Sequence, residues 1–173
     1  MLWRGVALVL LAAVLSGCAS GRTGTDYFAM AQKIGSPKSG QSRIVVLSEK
    51  AMGLSAAVCD VAIDGGAVGT LKAGTYVYAD RPAGRHELVA TQTLFPGDTK
   101  QQVSTESGRT YFFLVRNSER ANAMTGMTLV GGLAGALVTA AVTSGKENPG
   151  PVDFISLDET TARTTLAYLQ LAE

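Results

Sequence analysis

The chain has 173 residues, 46% of them hydrophobic and 17% charged, a length suited to one compact domain with attachments and a composition that excludes a disordered, charge-rich tail. Lys and Arg number 15 against 14 Asp and Glu, for a formal charge of +1, and no basic cluster interleaves with aromatics, which sets nucleic acid aside as a partner. Two cysteines and a single histidine, His86, exclude a disulfide framework, a thiolate metal site and a His-rich metal site, and no cofactor is implied.

Residues 1–17 read as a signal peptide. Arg4 supplies a positive charge, Val6 to Leu15 is an apolar run of ten residues, and Ser16 and Gly17 are small residues suited to cleavage. The run is shorter than the roughly 20 residues a bilayer span needs. Leu15-Ser16-Gly17-Cys18 resembles the lipobox of bacterial lipoproteins at all four positions. That resemblance implies a diacylglyceryl group on Cys18, cleavage before it and acylation of the new amino terminus. Several acyl chains on one residue hold a protein on a membrane, whereas a single chain binds marginally. Ala19, where the family's sorting rule would place Asp for inner-membrane retention, implies an outer-membrane lipoprotein facing the periplasm. The alternative is a secreted protein with a chance cysteine. Loss of residues 1–17 removes Arg4 and leaves 14 basic and 14 acidic residues, so electrostatic steering to anionic surfaces is not suggested.

Residues 18–42 read as a lipidated tether, rich in Gly, Ser, Thr and Lys, with one apolar patch at Tyr27-Phe28-Ala29-Met30. From residue 43 to 119 the texture is that of a β-sandwich. Ile44-Val45-Val46-Leu47 is a continuous apolar run, and Ala57 to Asp64 alternates with Cys59, Val61 and Ile63 on one face. Asp64-Gly65-Gly66 is a hairpin signal, with Val68 to Leu71 as the returning strand. Thr75 to Ala79, with Tyr76 and Tyr78 on one side, His86 to Thr91, Gln101 to Thr105 and Tyr111 to Val115 follow, making about seven short strands spaced as in a small sandwich. The sequence from Asp64 to His86, with its small Gly loop, aromatic strand and Pro82-Ala83-Gly84 turn, resembles bacterial lipoproteins carrying a domain of unknown function akin to PEGA-type β-sandwiches. The resemblance covers about residues 43–119 and implies a fold and an envelope location without an activity.

Residues 120–146 form a Gly-rich apolar segment. Ala121 to Gly145 holds 25 residues without a charge, enough for about 37 Å of helix. Leu129, Leu133 and Leu137 repeat every four residues, and Gly131, Gly135 and Thr139 form a small-xxx-small ridge on another face. Self-association or membrane contact is one reading, a Gly/Ala-rich insertion in the sandwich the other. Residues 147–173 supply a final strand and a helix over about Leu157 to Leu171, capped by Ser156 and Glu159 and packing Leu166, Tyr168 and Leu169 on the sheet.

Catalytic residues are not apparent. His86 stands alone without a nucleophile partner, Asp60, Asp64 and Asp80 are indistinguishable from turn and surface acids, and the Gly pairs lack the context of a phosphate cradle. Cys59 lies on an apolar strand face and reads as buried and inert. The sequence therefore points to a lipid-anchored, non-enzymatic interaction or scaffold module of the cell envelope, self-associating or bound to an envelope protein. The alternative is a periplasmic module that binds a small ligand or glycan on the Tyr76/Tyr78 face.

Overall fold

A computed structural model describes residues 26–49, 58–93, 95–126 and 150–172. Among the described residues, nine strands and three helical stretches follow in chain order: α1 (Tyr27–Ile34), β1 (Gln41–Leu47), β2 (Cys59–Ile63), β3 (Gly66–Leu71), β4 (Thr75–Pro82), β5 (Gly84–Thr91), β6 (Thr99–Thr105), β7 (Thr110–Asn117), α2 (the helical residues 119–126), β8 (Val152–Leu157), α3 (Glu159–Leu166) and β9 (Gln170–Leu171). The strands form two sheets, β8-β7-β1-β4-β9 and β3-β2-β5-β6. The fold is the expected mainly-β sandwich with a C-terminal helix. Its pairings are mostly antiparallel, with β1–β7 and β4–β9 parallel.

The five-stranded sheet is covered on both faces, which explains why its inner strands β1 and β7 carry continuous buried runs, Ile44 to Leu47 and Phe112 to Val115, instead of alternating. One face meets the second sheet: Ile44, Val46, Val77, Phe113, Val115 and Phe154 pack against Cys59, Val61, Ile63, Leu71 and Leu88. The other face lies under the helices, where Val45, Leu47, Tyr76, Phe112 and Leu114 pack against Tyr27 and Met30 of α1 and Ala162 and Leu166 of α3. Successive side chains of β1 and β7 therefore enter different cores, as the two-residue period of a strand requires. The four-stranded sheet has a solvated outer face, and β2 accordingly alternates between buried Cys59, Val61, Ile63 and outward Asp60 and Ala62. At its hairpin Asp64 and Gly65 both adopt positive φ, 53° and 76°, the backbone the sequence signal requires.

The residues read as tether are not all free chain. Asp26 caps α1 by accepting from the Ala29 amide at 2.9 Å, and the apolar patch is the buried face of that helix: Tyr27 makes edge contacts with Tyr76 and Phe112. The C-terminal helix is shorter than the sequence suggests, because Ser156 is paired with Phe113 inside β8 and Asp158 is the cap instead, bonded to Thr161. Leu166 and Leu169 are buried as expected, whereas Tyr168 turns outward.

Candidate functional site

A cleft of about 850 Å³ opens between α1 and α3 over the ends of β1 and β7. Tyr27 and Phe28 line it from α1, Arg43 and Tyr111 from the sheet, and Glu159 and Arg163 from α3. Arg43 organises its floor. Although only 3% exposed, its guanidinium meets both Asp80 carboxylate oxygens, at 2.7 and 2.9 Å, and donates to the Gly35 carbonyl at 2.7 Å beyond the end of α1. It also lies 5.5 Å from the centre of the Tyr78 ring. The hydrogen bond that Arg43 donates to Asp80 outweighs burial and raises the Arg43 pKa, so the charge is fixed. Burial raises the Tyr27 hydroxyl pKa, with Arg163 and Arg43 opposing it. On the rim, Arg163 pairs with Glu159 at 2.8 Å and Arg109 with Glu106 at 2.9 Å. The cleft is thus polar, with its arginines engaged by acids, and presents a mixed surface to a ligand.

The residues weighed for chemistry fall in separate places. His86 is 6% exposed and uses both ring nitrogens, Nδ1 at 2.7 Å from Asp64 Oδ2 and Nε2 at 2.8 Å from the Pro82 carbonyl. It is a strut between the β2–β3 turn and the end of β4. Asp64 also accepts from the Glu87 amide at 2.9 Å. Burial works against ionisation of Asp64, but that amide, His86 and Arg81 together hold its carboxyl below the usual range. Asp60 accepts from the Thr70 hydroxyl and Asp80 holds Arg43, so the three aspartates do not converge. Cys59 is 1% exposed, as its place on the apolar face implied, and burial, with Asp60 adding, pushes its thiol up to about 12. Among the described residues no group of three or more His, Cys, Asp or Glu is arranged to hold a metal ion.

The Tyr76/Tyr78 face does not offer the surface the sequence suggested. Tyr76 is fully buried beneath Tyr27, a consequence of the helix docked on the strand, and Tyr78 is half-buried beside Arg43. The cleft replaces that face, and sequence reasoning missed it because a helix at Tyr27 was needed to build one wall. A signal was present: Arg43 opens an apolar strand, and a cation there requires an acid on a neighbouring strand, which Asp80 supplies in register.

The lipobox residues Leu15, Ser16, Gly17 and Cys18 lie outside the described residues, as does the ridge of Gly131, Gly135 and Thr139. Its flanks are described. Ser118 donates from its amide to the Pro151 carbonyl at 3.0 Å and from its hydroxyl to the Gly150 carbonyl at 2.7 Å, fastening the two flanks together. No helix among the described residues is long and apolar enough to cross a membrane.

Comparison with curated proteins gives no match. Residues 38–129, from just before β1 through β7 and α2, match the family described as "Protein of unknown function (DUF2846)", which covers more than half the chain and includes the whole four-stranded sheet. The chain belongs to the DUF2846 family.

Proposed function

We propose that this DUF2846 protein is a lipoprotein of the bacterial cell envelope, in the outer membrane and facing the periplasm, whose sandwich is a non-enzymatic interaction or scaffold module similar to PEGA-type domains. The observation that carries the reading is Leu15-Ser16-Gly17-Cys18 directly behind the apolar run Val6 to Leu15. Cys18 is the lipidation site and residues 1–17 are the signal peptide. The engagement of both His86 nitrogens and the burial of Cys59 support a binding role over a chemical one. Self-association through the ridge of Gly131, Gly135 and Thr139 is the mode of assembly proposed, since small residues allow close helix approach.

The test replaces residues 1–17 by an ordinary cleavable signal peptide and Cys18 by Ser, followed by membrane fractionation with alkaline extraction. The wild type is expected in the membrane with acyl mass on Cys18, and the variant in the soluble periplasmic fraction. A wild type without acyl mass refutes the anchor. Cross-linked homo-oligomers that persist in the Gly131→Leu, Gly135→Leu double variant refute the proposed mode of assembly.

A second reading, capture of a small ligand or glycan, is favoured by the cleft between α1 and α3. Ligand binding to the native state raises its melting temperature by mass action, and a ligand shift that survives Arg43→Met and Phe28→Ser would place binding elsewhere.

A further inference from the structure

We infer that the end of the sandwich carrying Tyr168 and Val58 rests on the surface of the phospholipid bilayer; this rests on the lipid-anchor reading above. The place where the chain enters the body sets the geometry. Residues 19–25 alone separate Cys18 from Asp26, and at about 3.6 Å per residue they reach at most about 29 Å. Asp26 forms a bridge with Gln170, the Gln170 amide donates to the Gly74 carbonyl at 3.1 Å, and the Gly74 amide lies against the Ser48 and Glu49 carbonyls. The anchored chain therefore arrives at the end of the sandwich where β1 finishes and β4 begins, and that end is kept close to the lipid.

Apolar side chains stand out at that end. Tyr168, two residues before Gln170, is 63% exposed, the highest value among the exposed large hydrophobics of the described residues. Beside it a shallow depression of about 280 Å³ is lined by Leu169, Thr164, Thr165 and Glu49. Val58, the residue just before β2, is 44% exposed, and its neighbour Cys59 pairs with Leu71, next to the turn that carries Gly74. Tyrosine is suited to the headgroup level, where its ring is apolar and its hydroxyl stays hydrated.

The flanks of the uncharged stretch Ala121 to Gly145 are at the same end, because Leu114 is level with Leu47 and Asn117 lies three residues beyond it. Since Ser118 is fastened to Gly150 and Pro151, both flanks stand on one side of any membrane the body rests on, which a single crossing would not permit. Charge defines the kind of contact. Among the described residues exposed at this end, Asp26, Glu49 and Glu119 stand against Lys72 and Arg116, leaving no positive surplus, so the contact is interfacial and apolar and does not depend on anionic lipid.

Trp3 is the chain's single tryptophan and lies within residues 1–17, so a tryptophan introduced into the mature protein is a unique reporter. The full lipidated protein carrying Tyr168→Trp is placed in vesicles of phosphatidylethanolamine and phosphatidylglycerol, with Ala83→Trp in the β4–β5 turn as the reporter at the opposite end. Blue-shifted Trp emission and quenching by brominated lipid severalfold stronger for Tyr168→Trp than for Ala83→Trp, unchanged at high salt, are expected. Val58→Trp is the second reporter and follows Tyr168→Trp. Equal quenching at both ends in protein that carries acyl mass on Cys18 overturns the docking and leaves the anchor standing. Protein without acyl mass overturns both.

Discussion

Replacing Asp80 by Ala tests whether the Arg43 cluster holds α1 on the sheet. The substitution removes the two contacts that Asp80 makes to a guanidinium 3% exposed, leaving Arg43 the Gly35 carbonyl and the Tyr78 ring. Hydrogen bonds to charged groups contribute about 1.5–3 kcal/mol each, and breaking a buried ion pair from one side costs about 3–5 kcal/mol. Asp80 is 30% exposed, so water enters the vacated space and screens part of that loss. A destabilisation of about 2–3 kcal/mol follows. In a domain of this size that lowers the melting temperature by about 5–10 °C. Urea unfolding of the soluble Cys18→Ser chain, made with the replaced and cleaved signal peptide, measures it. Arg43→Met, which leaves a partly solvated carboxylate and an apolar stem of similar length, costs less, about 1–2 kcal/mol. The double variant should fall short of the sum of the two singles by about 1–2 kcal/mol, because the second change removes the charge the first one stranded. Additive effects, or a loss below about 0.5 kcal/mol in Asp80→Ala, would refute the assignment of Arg43 as a paired buried cation.

Tyr27→Ala removes the ring wedged against Tyr76 and Phe112 and should cost about 3–4 kcal/mol, with hydrogen exchange of the α1 amides accelerated; unchanged α1 protection would show that the helix is held by other contacts. Cys59, with its thiol pushed up to about 12, should resist a thiol reagent in the native chain and react on unfolding in urea; rapid native reaction would contradict its burial. Asp64 has a depressed pKa, so its contribution to stability is present above the unfolded carboxylate value of about 3.9 and is lost as pH falls through the lower folded value. The urea midpoint of the wild type should therefore drop more steeply below about pH 4 than that of Asp64→Asn, and parallel profiles would refute the linkage.

The strands were legible where one local rule decided them. Asp64-Gly65 tolerates positive φ, and the alternation from Cys59 to Ile63 matches a sheet with one wet face. The run at Ile44 to Leu47 was legible as a strand, but its meaning was not: burial on both faces follows from the two helices on the outer side, one of them inside the stretch read as tether. That helix had local signs, an Asp26 cap and apolar residues three apart at Tyr27 and Met30. They were outweighed by the Gly, Ser and Lys around them, because eight residues of helix gain most of their stability from docking. At the other end of the chain two caps competed. Ser156 with Glu159 satisfies the capping-box pattern, yet Ser156 is level with Phe113 in β8 and its backbone is committed to the sheet. Asp158, the first position past β8, is free to cap.

The same nonlocal dependence governs the site. A buried arginine is tolerable only with its acid in register, and Asp80 comes into register with Arg43 because β1 and β4 pair antiparallel from Gln41–Pro82 to Leu47–Tyr76. The parallel pairing of β1 with β7 sets Phe112 level with Val45, and both lie in the core that receives Tyr27. Tyr27 closes one wall of the cleft and covers Tyr76, so one docking event both removes the face the sequence offered for binding and creates the cleft that takes its place. A variant that undocks α1 should therefore expose Tyr76 and abolish the cleft together, which couples any ligand of that cleft to the stability of the helix nearest the proposed anchor.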